Sequence, residues 1–100
     1  YHYIDISTGT IHQSEVAEDV FMALEELLNI FIPLGIFLRN IHLTKSFLRR
    51  LSVAFNGKMP MRLHLYRVSI EEGLDLASFI FSWKINSLYM SDCERQIDEF

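Results

Sequence analysis

One pair of side chains near the N-terminus has the residue types that acid–base catalysis uses. If residues 1–13 form a hairpin, His12 faces Asp5 across it, and a carboxylate in that position can orient an imidazole as a general base. Most such cross-strand pairs are solvated pairs without a catalytic role. No nucleophile motif accompanies His12, so the sequence leans against an enzyme and leaves His12 as the one catalytic candidate.

Residue types that bind metals and cofactors are present, but their spacing does not form a site. The four glycines are isolated, which argues against a phosphate-binding loop. His2, His42 and His64 share no metal-ligand spacing, and Cys93 is the only cysteine. We therefore predict no cofactor and no metal site. A single thiol cannot form an internal disulfide, which weakly favours a reducing compartment and a cytoplasmic protein.

The basic residues form a stronger candidate site. Every charged residue from Arg39 to Arg67 is basic, whereas residues 1–38 carry only acidic charges and residues 68–100 carry mainly acidic ones. Cations interleaved with an aromatic side chain suit either a carboxylate surface or a phosphate backbone with a stacked base. The residues of this basic block that we expect to contact a partner are Lys45, Arg49, Arg50, Lys58, Arg62 and Tyr66.

Three interpretations of the sorted charges stay open. The basic block can pair with the acidic first helix inside the same fold, because acidic and basic faces of one domain often meet. Otherwise the acidic face, with Glu18 and Glu25, and the basic block bind a protein partner or a second copy of the chain. The third interpretation is nucleic acid, but a net charge of −4 and a pI near 5.5 do not give the broad positive field of a typical nucleic-acid binder.

The aromatic content supports the protein partner. Aromatic residues make up 13% of the chain, which is more than its small interior readily holds. We expect some of Phe79, Ile80, Trp83 and Tyr89 to stay exposed as an interface patch that Trp83 anchors, although burial in the core is favoured for any one of them. The sequence therefore predicts a non-enzymatic protein-binding module, regulatory or inhibitory in type, and the alternative is a nucleic-acid-binding domain that uses residues 39–67.

Length and composition predict one compact domain over residues 1–100, either complete or excised from a longer chain. Half of the 100 residues are apolar, which is enough for a core without disulfides. The most apolar run, from Leu27 to Leu38, is interrupted by Asn29, Pro33 and Gly35, and it is shorter than the roughly 20 residues of a membrane span. We predict that this run is core and that the chain has no membrane partner.

The N-terminal half favours a hairpin followed by helices. Residues 1–7 alternate like a strand, Thr8-Gly9 suits a tight turn, and residues 10–13 would form the return strand. A helix follows the Ser14 cap, with a buried stripe predicted at Val16, Val20, Ala23, Leu24, Leu27, Leu28 and Phe31. Residues 36–43 are expected to form a short buried helix or a turn.

The second half combines one clear helix with a less certain region. Thr44 caps a helix that buries Phe47, Leu48, Leu51 and Phe55, and Asn56-Gly57 ends it. Residues 61–69 alternate like a strand, with Arg62, His64 and Tyr66 on one face.

Residues 70–90 fit a helix that begins at a Ser69–Glu72 capping box, or a strand; we favour the helix. A second capping box, Ser91 and Glu94, predicts a helix from Asp92. The predicted fold class is α+β, with an N-terminal β-hairpin, two to three central helices, at least one further strand (61–69) and a helical C-terminal region. No repeat is found in the sequence itself.

Overall fold

The fold alternates short strands with helices along the chain. A computed structural model describes residues 3–7 and 18–93 of the protein. In chain order the elements are β1 (Tyr3–Ser7), α1 (Glu18–Leu28), β2 (Gly35–Arg39), β3 (His42–Leu43), α2 (Lys45–Phe55), β4 (Arg62–Tyr66), β5 (Ser69–Ile70), α3 (Leu76–Trp83) and β6 (Ser87–Ser91). The predicted mixture of helices and strands is confirmed.

The four longer strands form one sheet in which every pairing is parallel. Its strand order is β1-β2-β4-β6, which is also their order along the chain. β1 pairs with β2, and Tyr3 lies opposite Gly35, so the predicted N-terminal hairpin is wrong. Alternation marks residues 3–7 as a strand, but it does not identify the partner strand. The predicted return strand, residues 10–13, and the Ser14 cap lie outside the described residues.

The strands and helices repeat as a structural unit. β2-β3-α2 is followed by β4-β5-α3 in the same order, and β3 pairs with β5 in a second, two-stranded parallel sheet. The register partners Gly35 and Arg62 are 27 residues apart, and Arg62 and Ser87 are 25 apart. A residue with positive φ follows each of β2, β4 and β6, namely Asn40, Arg67 and Asp92. The sequence shows no repeat of residue types, so this repetition is visible only in the structure.

The two predicted helices form, and the buried stripe of the first is rotated. In α1 the buried residues are Phe21, Leu24 and Leu28, whereas Val20 and Leu27 are exposed. In α2 the predicted caps and stripe are confirmed: the Thr44 hydroxyl accepts from the Phe47 N–H at 3.1 Å, and Asn56 ends the helix in the left-handed conformation. The predicted Phe47, Leu48, Leu51 and Phe55 are all buried.

Two segments differ from their predicted type. Residues 36–43 lie in strands β2 and β3 and do not form the predicted helix or turn. Strands of parallel sheets are often nearly continuous apolar runs, so an apolar run of this length does not by itself distinguish a strand from a helix. Residues 70–90 divide into α3, which Asp75 caps by accepting from the Ser78 N–H, and strand β6. Ser69 lies in β5 and Ser91 ends β6, so neither begins a helix, and Glu94 lies outside the described residues.

The core lies between one face of the sheet and the helices. The four-stranded sheet contributes Ile4, Ile6, Ile36, Leu38, Leu63 and Leu65 to it, β3 and β5 contribute Leu43 and Ile70, and residues of the helices and loops complete it. The strand predicted at 61–69 is confirmed as β4, and β5 begins at its end. Within residues 3–7 and 18–93, no charged or polar residue is buried in this core. None of the described helices is both long enough and apolar enough to cross a membrane.

Candidate partner-binding surface

The opposite face of the four-stranded sheet is not covered by any described helix. We call it the open face and define it by the outward side chains of its strands: Tyr3, Asp5, Ser7, Gly35, Phe37, Arg39, Arg62, His64, Tyr66, Ser87, Tyr89 and Ser91. These positions alternate with the core residues, so the period of two along each strand separates the two faces. Parallel sheets are usually covered on both faces, which makes an open one unusual.

A row of rings crosses the open face at its centre. Phe37, His64 and Tyr89 are register partners on β2, β4 and β6. The Phe37 and His64 ring centroids are 4.3 Å apart, and those of His64 and Tyr89 are 4.5 Å apart with an interplanar angle of 11°. Each ring therefore supports the ring on the neighbouring strand, which fixes their orientation before any partner binds.

Tyr3 extends this row onto β1 because Gly35 leaves room for it. The Tyr3 ring centroid lies 5.4 Å from that of Phe37 and 5.8 Å from that of His64. A Cβ atom added at Gly35 would lie 2.5 Å from Tyr3 Cε2 and 2.8 Å from Cδ2. Arg62 Nη1 donates to the Tyr3 hydroxyl at 3.1 Å. The absent side chain at Gly35 thus allows the ring to lie across β2.

Guanidinium groups gather at the C-terminal ends of the strands. Arg39 Cζ lies 4.9 Å from the Phe37 centroid and 5.9 Å from the Tyr66 centroid, and Arg67 Cζ lies 5.5 Å from that of Tyr66. Arg39 Nε is 3.0 Å from Asp5 Oδ2, so the two form an ion pair. The Arg39 Nε–H does not point toward this oxygen, so the contact is an ion pair without a hydrogen bond. In the described part of the chain, Nε has no hydrogen-bond partner.

His64 is held in its neutral form at the centre of the row. Burial lowers the pKa of the imidazole, and the positive charges of Arg62 and Arg39 lower this pKa further. Its Nε2 is buried and makes no hydrogen bond to any described residue. A neutral ring stacked between two aromatic rings acts here as a packing group.

A cavity of about 170 Å³ opens beside the rings over β2, β4 and β6. Phe37, His64 and Tyr89 contribute apolar walls, and Arg39 and Ser91 contribute polar groups. This volume is close to that of one large amino-acid side chain. The cavity is therefore large enough to hold a single side chain.

The predicted contact residues are divided among several parts of the molecule. Arg62 and Tyr66 lie on the open face, as the alternation of residues 61–69 predicted. Lys45 and Arg49 are exposed on α2, and Lys58 is exposed in the loop that follows it. The structure therefore does not bring the basic block together as one surface.

Three of the predicted acidic and basic contact residues lie in contact with each other between α1 and α2. Arg50 Nη2 donates to Glu18 Oε1 at 2.6 Å and to Glu25 Oε1 at 3.3 Å, and Arg50 Cζ lies 4.9 Å from the Phe21 centroid. The hydrogen bond from Arg50 lowers the pKa of Glu18, and the same bond raises the pKa of Arg50. These three charged residues are engaged with each other, as the interpretation of internal pairing expects.

Trp83 lies in the core and not on an exposed patch. Its side chain is only 8% exposed, and its indole Nε1–H donates to the Ser52 hydroxyl at 2.6 Å. Its ring packs edge to face against Phe79 with centroids 5.7 Å apart. Trp83 therefore joins α3 to α2, which agrees with the alternative prediction for this residue.

The catalytic candidate does not assemble in the described residues. Asp5 pairs with Arg39, and His12 lies outside them. Among residues 3–7 and 18–93 no three His, Cys, Asp or Glu side chains are placed to hold a metal ion. A larger cavity of about 450 Å³ lies near the start of α3, away from the open face, beside Glu71, Glu72 and Asp75. It brings together carboxylates, serines and Lys45, without a histidine or cysteine.

Sequence reasoning missed most of the open face. Phe37 and Arg39 were not predicted as contact residues, although the alternation in Gly35–Arg39 was a signal that could have placed them on one face. Tyr89 was expected only as one of four aromatic or apolar residues of an exposed patch, and the alternation in Ser87–Ser91 could have placed it on this face. Comparisons of the chain with protein-family models, with curated proteins and with solved structures find no significant match.

Proposed function

We propose that this chain is a non-enzymatic protein-binding module and that its binding surface is the open face of the parallel sheet. The observation that carries the proposal is the row of stacked rings on a sheet face that no described helix covers. Tyr3 is 38% exposed and Tyr89 is 49% exposed, although both have a large apolar ring. A partner that covers this face would remove apolar area from water, which is the main favourable term in association.

The residue types on the open face support the same function. Tyrosine and arginine are among the residues that contribute most binding energy at protein interfaces, especially near the centre of the contact. Here Arg39 is the register partner of Tyr66, Tyr89 stacks on His64, and Arg62 donates to the Tyr3 hydroxyl. Their ring and cation–π contacts already fix these side chains, so less conformational entropy is lost on binding.

The repeated unit is a further argument for binding. Proteins that stack strand–helix units in chain order present an extended surface, and many of them use it to bind partners. Leucine-rich repeats, of about 20 to 29 residues with one strand and one helix or 3₁₀ turn each, have this plan. The spacings of 27 and 25 residues between register partners are similar to it.

The stacking geometry favours a protein over a nucleic acid. Single-stranded nucleic acids bind by placing a base on the free face of an aromatic ring. In this protein the faces of His64 are covered by Phe37 and Tyr89, at centroid distances of 4.3 and 4.5 Å. The row therefore offers ring edges to a partner, and ring edges suit the apolar and carbonyl groups of a polypeptide.

Site-specific photocrosslinking tests the proposal. The photoreactive amino acid p-benzoylphenylalanine replaces Tyr89 on the open face in one variant and Phe81 in a control. Phe81 is 87% exposed on α3, so the control probe is at least as accessible as the probe at Tyr89. Both variants are irradiated in an extract of the source cells, and crosslinked proteins are identified by mass spectrometry.

We expect a defined protein to crosslink at position 89 and not at position 81. Substitution of Arg62 by Ala in the same chain should reduce the yield. Equal crosslinking at both positions, or crosslinks at position 81 only, would contradict the proposal.

A further inference from the structure

We propose that the partner of the open face contributes an acidic polypeptide segment, with a glutamate-like side chain in the cavity beside Tyr89 and a second carboxylate at Arg67. This inference rests on the proposed function and names the chemistry of the partner. It follows from three independent features of the open face: its excess of donors, the residue at position 67 and the lining of the cavity.

Hydrogen-bond donors dominate the open face. Its strands carry the guanidinium groups of Arg39 and Arg62, and Arg67 adds another directly after β4. The carboxylate of Asp5 is already paired with Arg39 at 3.0 Å. The hydroxyl groups of Tyr66 and Tyr89 add further donors. A partner matches this surface when it is rich in acceptors, and carboxylates are the strongest acceptors in proteins.

Arg67 holds a position at which the backbone favours a different residue. Its φ is 54°, and the residues that occupy the same place after β2 and β6 are Asn40 and Asp92. Asn and Asp adopt this left-handed conformation far more readily than residues with long side chains do. In the described part of the chain, no carboxylate is within ion-pair distance of Arg67. Its backbone N–H donates to the Ser91 carbonyl at 3.1 Å, and its guanidinium lies against the Tyr66 ring. The Arg67 side chain is thus exposed at a position where the backbone conformation is unfavourable for a residue of its type.

The cavity selects a side chain that is apolar along its length and polar at its tip. Phe37, Tyr89 and Met90 line it with apolar surface, and Arg39 and Ser91 place donors at the same opening. A glutamate side chain has an apolar stem and a terminal carboxylate, and it fits within the volume of about 170 Å³. A basic side chain would meet the positive charge of Arg39 and would be disfavoured.

Fluorescence anisotropy with defined probes tests the inference. The probes are a labelled random copolymer of glutamate and tyrosine and a labelled oligo(dT) of equal charge, each titrated with the protein at low and moderate salt. The variants are Arg67→Gln and Arg39→Gln. The matched control is Arg49→Gln, which removes an exposed arginine from α2. Trp83 fluorescence checks that each variant is folded.

We expect the copolymer to bind more tightly than oligo(dT) and to bind less tightly at higher salt. Arg67→Gln and Arg39→Gln should each weaken copolymer binding about fivefold, because each removes a charge-assisted hydrogen bond. Arg49→Gln should leave the affinity unchanged. Because Arg67 is exposed, its variant remains decisive even if Arg39→Gln affects folding.

Several results would overturn the inference. They are the absence of copolymer binding at low salt, tighter binding of oligo(dT), and equal affinities for the Arg67→Gln and Arg49→Gln variants. The crosslink at position 89 reports any protein that covers the open face, whether or not that protein is acidic. A crosslinked protein together with a negative anisotropy result therefore rejects the acidic partner alone, whereas the loss of the crosslink rejects the binding surface itself.

Discussion

The imidazole of His64 and the phenol ring of Tyr89 lie nearly parallel on neighbouring strands, with their centroids 4.5 Å apart. The contact places a titratable ring inside an otherwise uncharged stack, between Arg62 on the same strand and Arg39 on the next. Proton uptake by His64 would add a third positive charge beside these two. The contact therefore links the acid stability of the fold to the integrity of the ring row.

His64 should make the protein less stable in mild acid. Its folded pKa is lowered from 6.5, so at pH values between the folded pKa and 6.5 the unfolded chain binds more protons than the folded one. The contribution of His64 to stability is thus fully present above pH 6.5 and is lost as the pH falls through the folded pKa. Urea unfolding at a series of pH values measures this dependence.

The His64→Phe variant isolates this contribution. Phenylalanine keeps a stacked ring and removes the buried Nε2, which has no hydrogen-bond partner among the described residues. We expect its unfolding free energy at pH 7 to equal or exceed that of the wild type, with a flatter profile between pH 5 and pH 7. An unchanged pH profile in this variant would show that another group causes the dependence.

Gly35→Ala should displace Tyr3 from the ring row. The added Cβ would lie 2.5 Å from Tyr3 Cε2, so the ring must leave its position against Phe37 and His64. We expect a loss of about 1 kcal/mol in unfolding free energy, measured by urea unfolding. In a Tyr3→Ala background the same substitution should cost much less, because the clashing ring is gone. If Gly35→Ala lowers the unfolding free energy equally in both backgrounds, the effect does not come from the Tyr3 ring.

The Trp83–Ser52 hydrogen bond should stabilise the contact between α3 and α2. Ser52→Ala leaves the indole N–H without its acceptor, and we expect a loss of about 1 kcal/mol. In a Trp83→Phe background the serine substitution should cost less, because no indole N–H remains. Additive losses in the double variant would argue that the bond contributes nothing of its own.

The emission of the single tryptophan provides a second measurement. Because Trp83 is 8% exposed, its fluorescence should be blue-shifted and protected from iodide. Ready quenching by iodide would be inconsistent with a core position.

Arg50 should stabilise the packing of α1 on α2, whereas its neighbour Arg49 should not. Arg50→Gln removes the hydrogen bonds to Glu18 and Glu25 and the contact with the Phe21 ring. We expect a lower urea midpoint, with a smaller difference from the wild type at high salt because exposed ion pairs are screened. Arg49→Gln is the control, and a similar shift in both variants would mean that net charge alone is responsible.

Local signals in the sequence predicted local structure well. Thr44 and Asn56-Gly57 marked the ends of α2, and alternation placed Arg62, His64 and Tyr66 on one face of β4. Both signals come from interactions within a few residues, which the sequence records directly.

Signals for pairing and repetition were absent because they depend on distant residues. The partner of β1 is β2, which begins 32 positions further along at Gly35, and nothing in residues 3–7 specifies it. Equivalent positions of the repeat hold different residue types: Asn40 matches Arg67, and Ile41 matches Val68. The repeat conserves backbone conformation and the burial of apolar positions, so a comparison of residue identities does not detect it. The open face was missed for the same reason, since four separate strands build it.

The strand order β1-β2-β4-β6 has a consequence for how the molecule folds. Each strand pairs only with its predecessor or successor in the sheet, so every closing loop is of similar, modest length, and the entropy of closing it changes little from one unit to the next. A unit can therefore dock as soon as it leaves the ribosome, because its partner strand has already been synthesised. Assembly proceeds in the direction of translation, and no early strand has to wait for the C-terminus before it can pair.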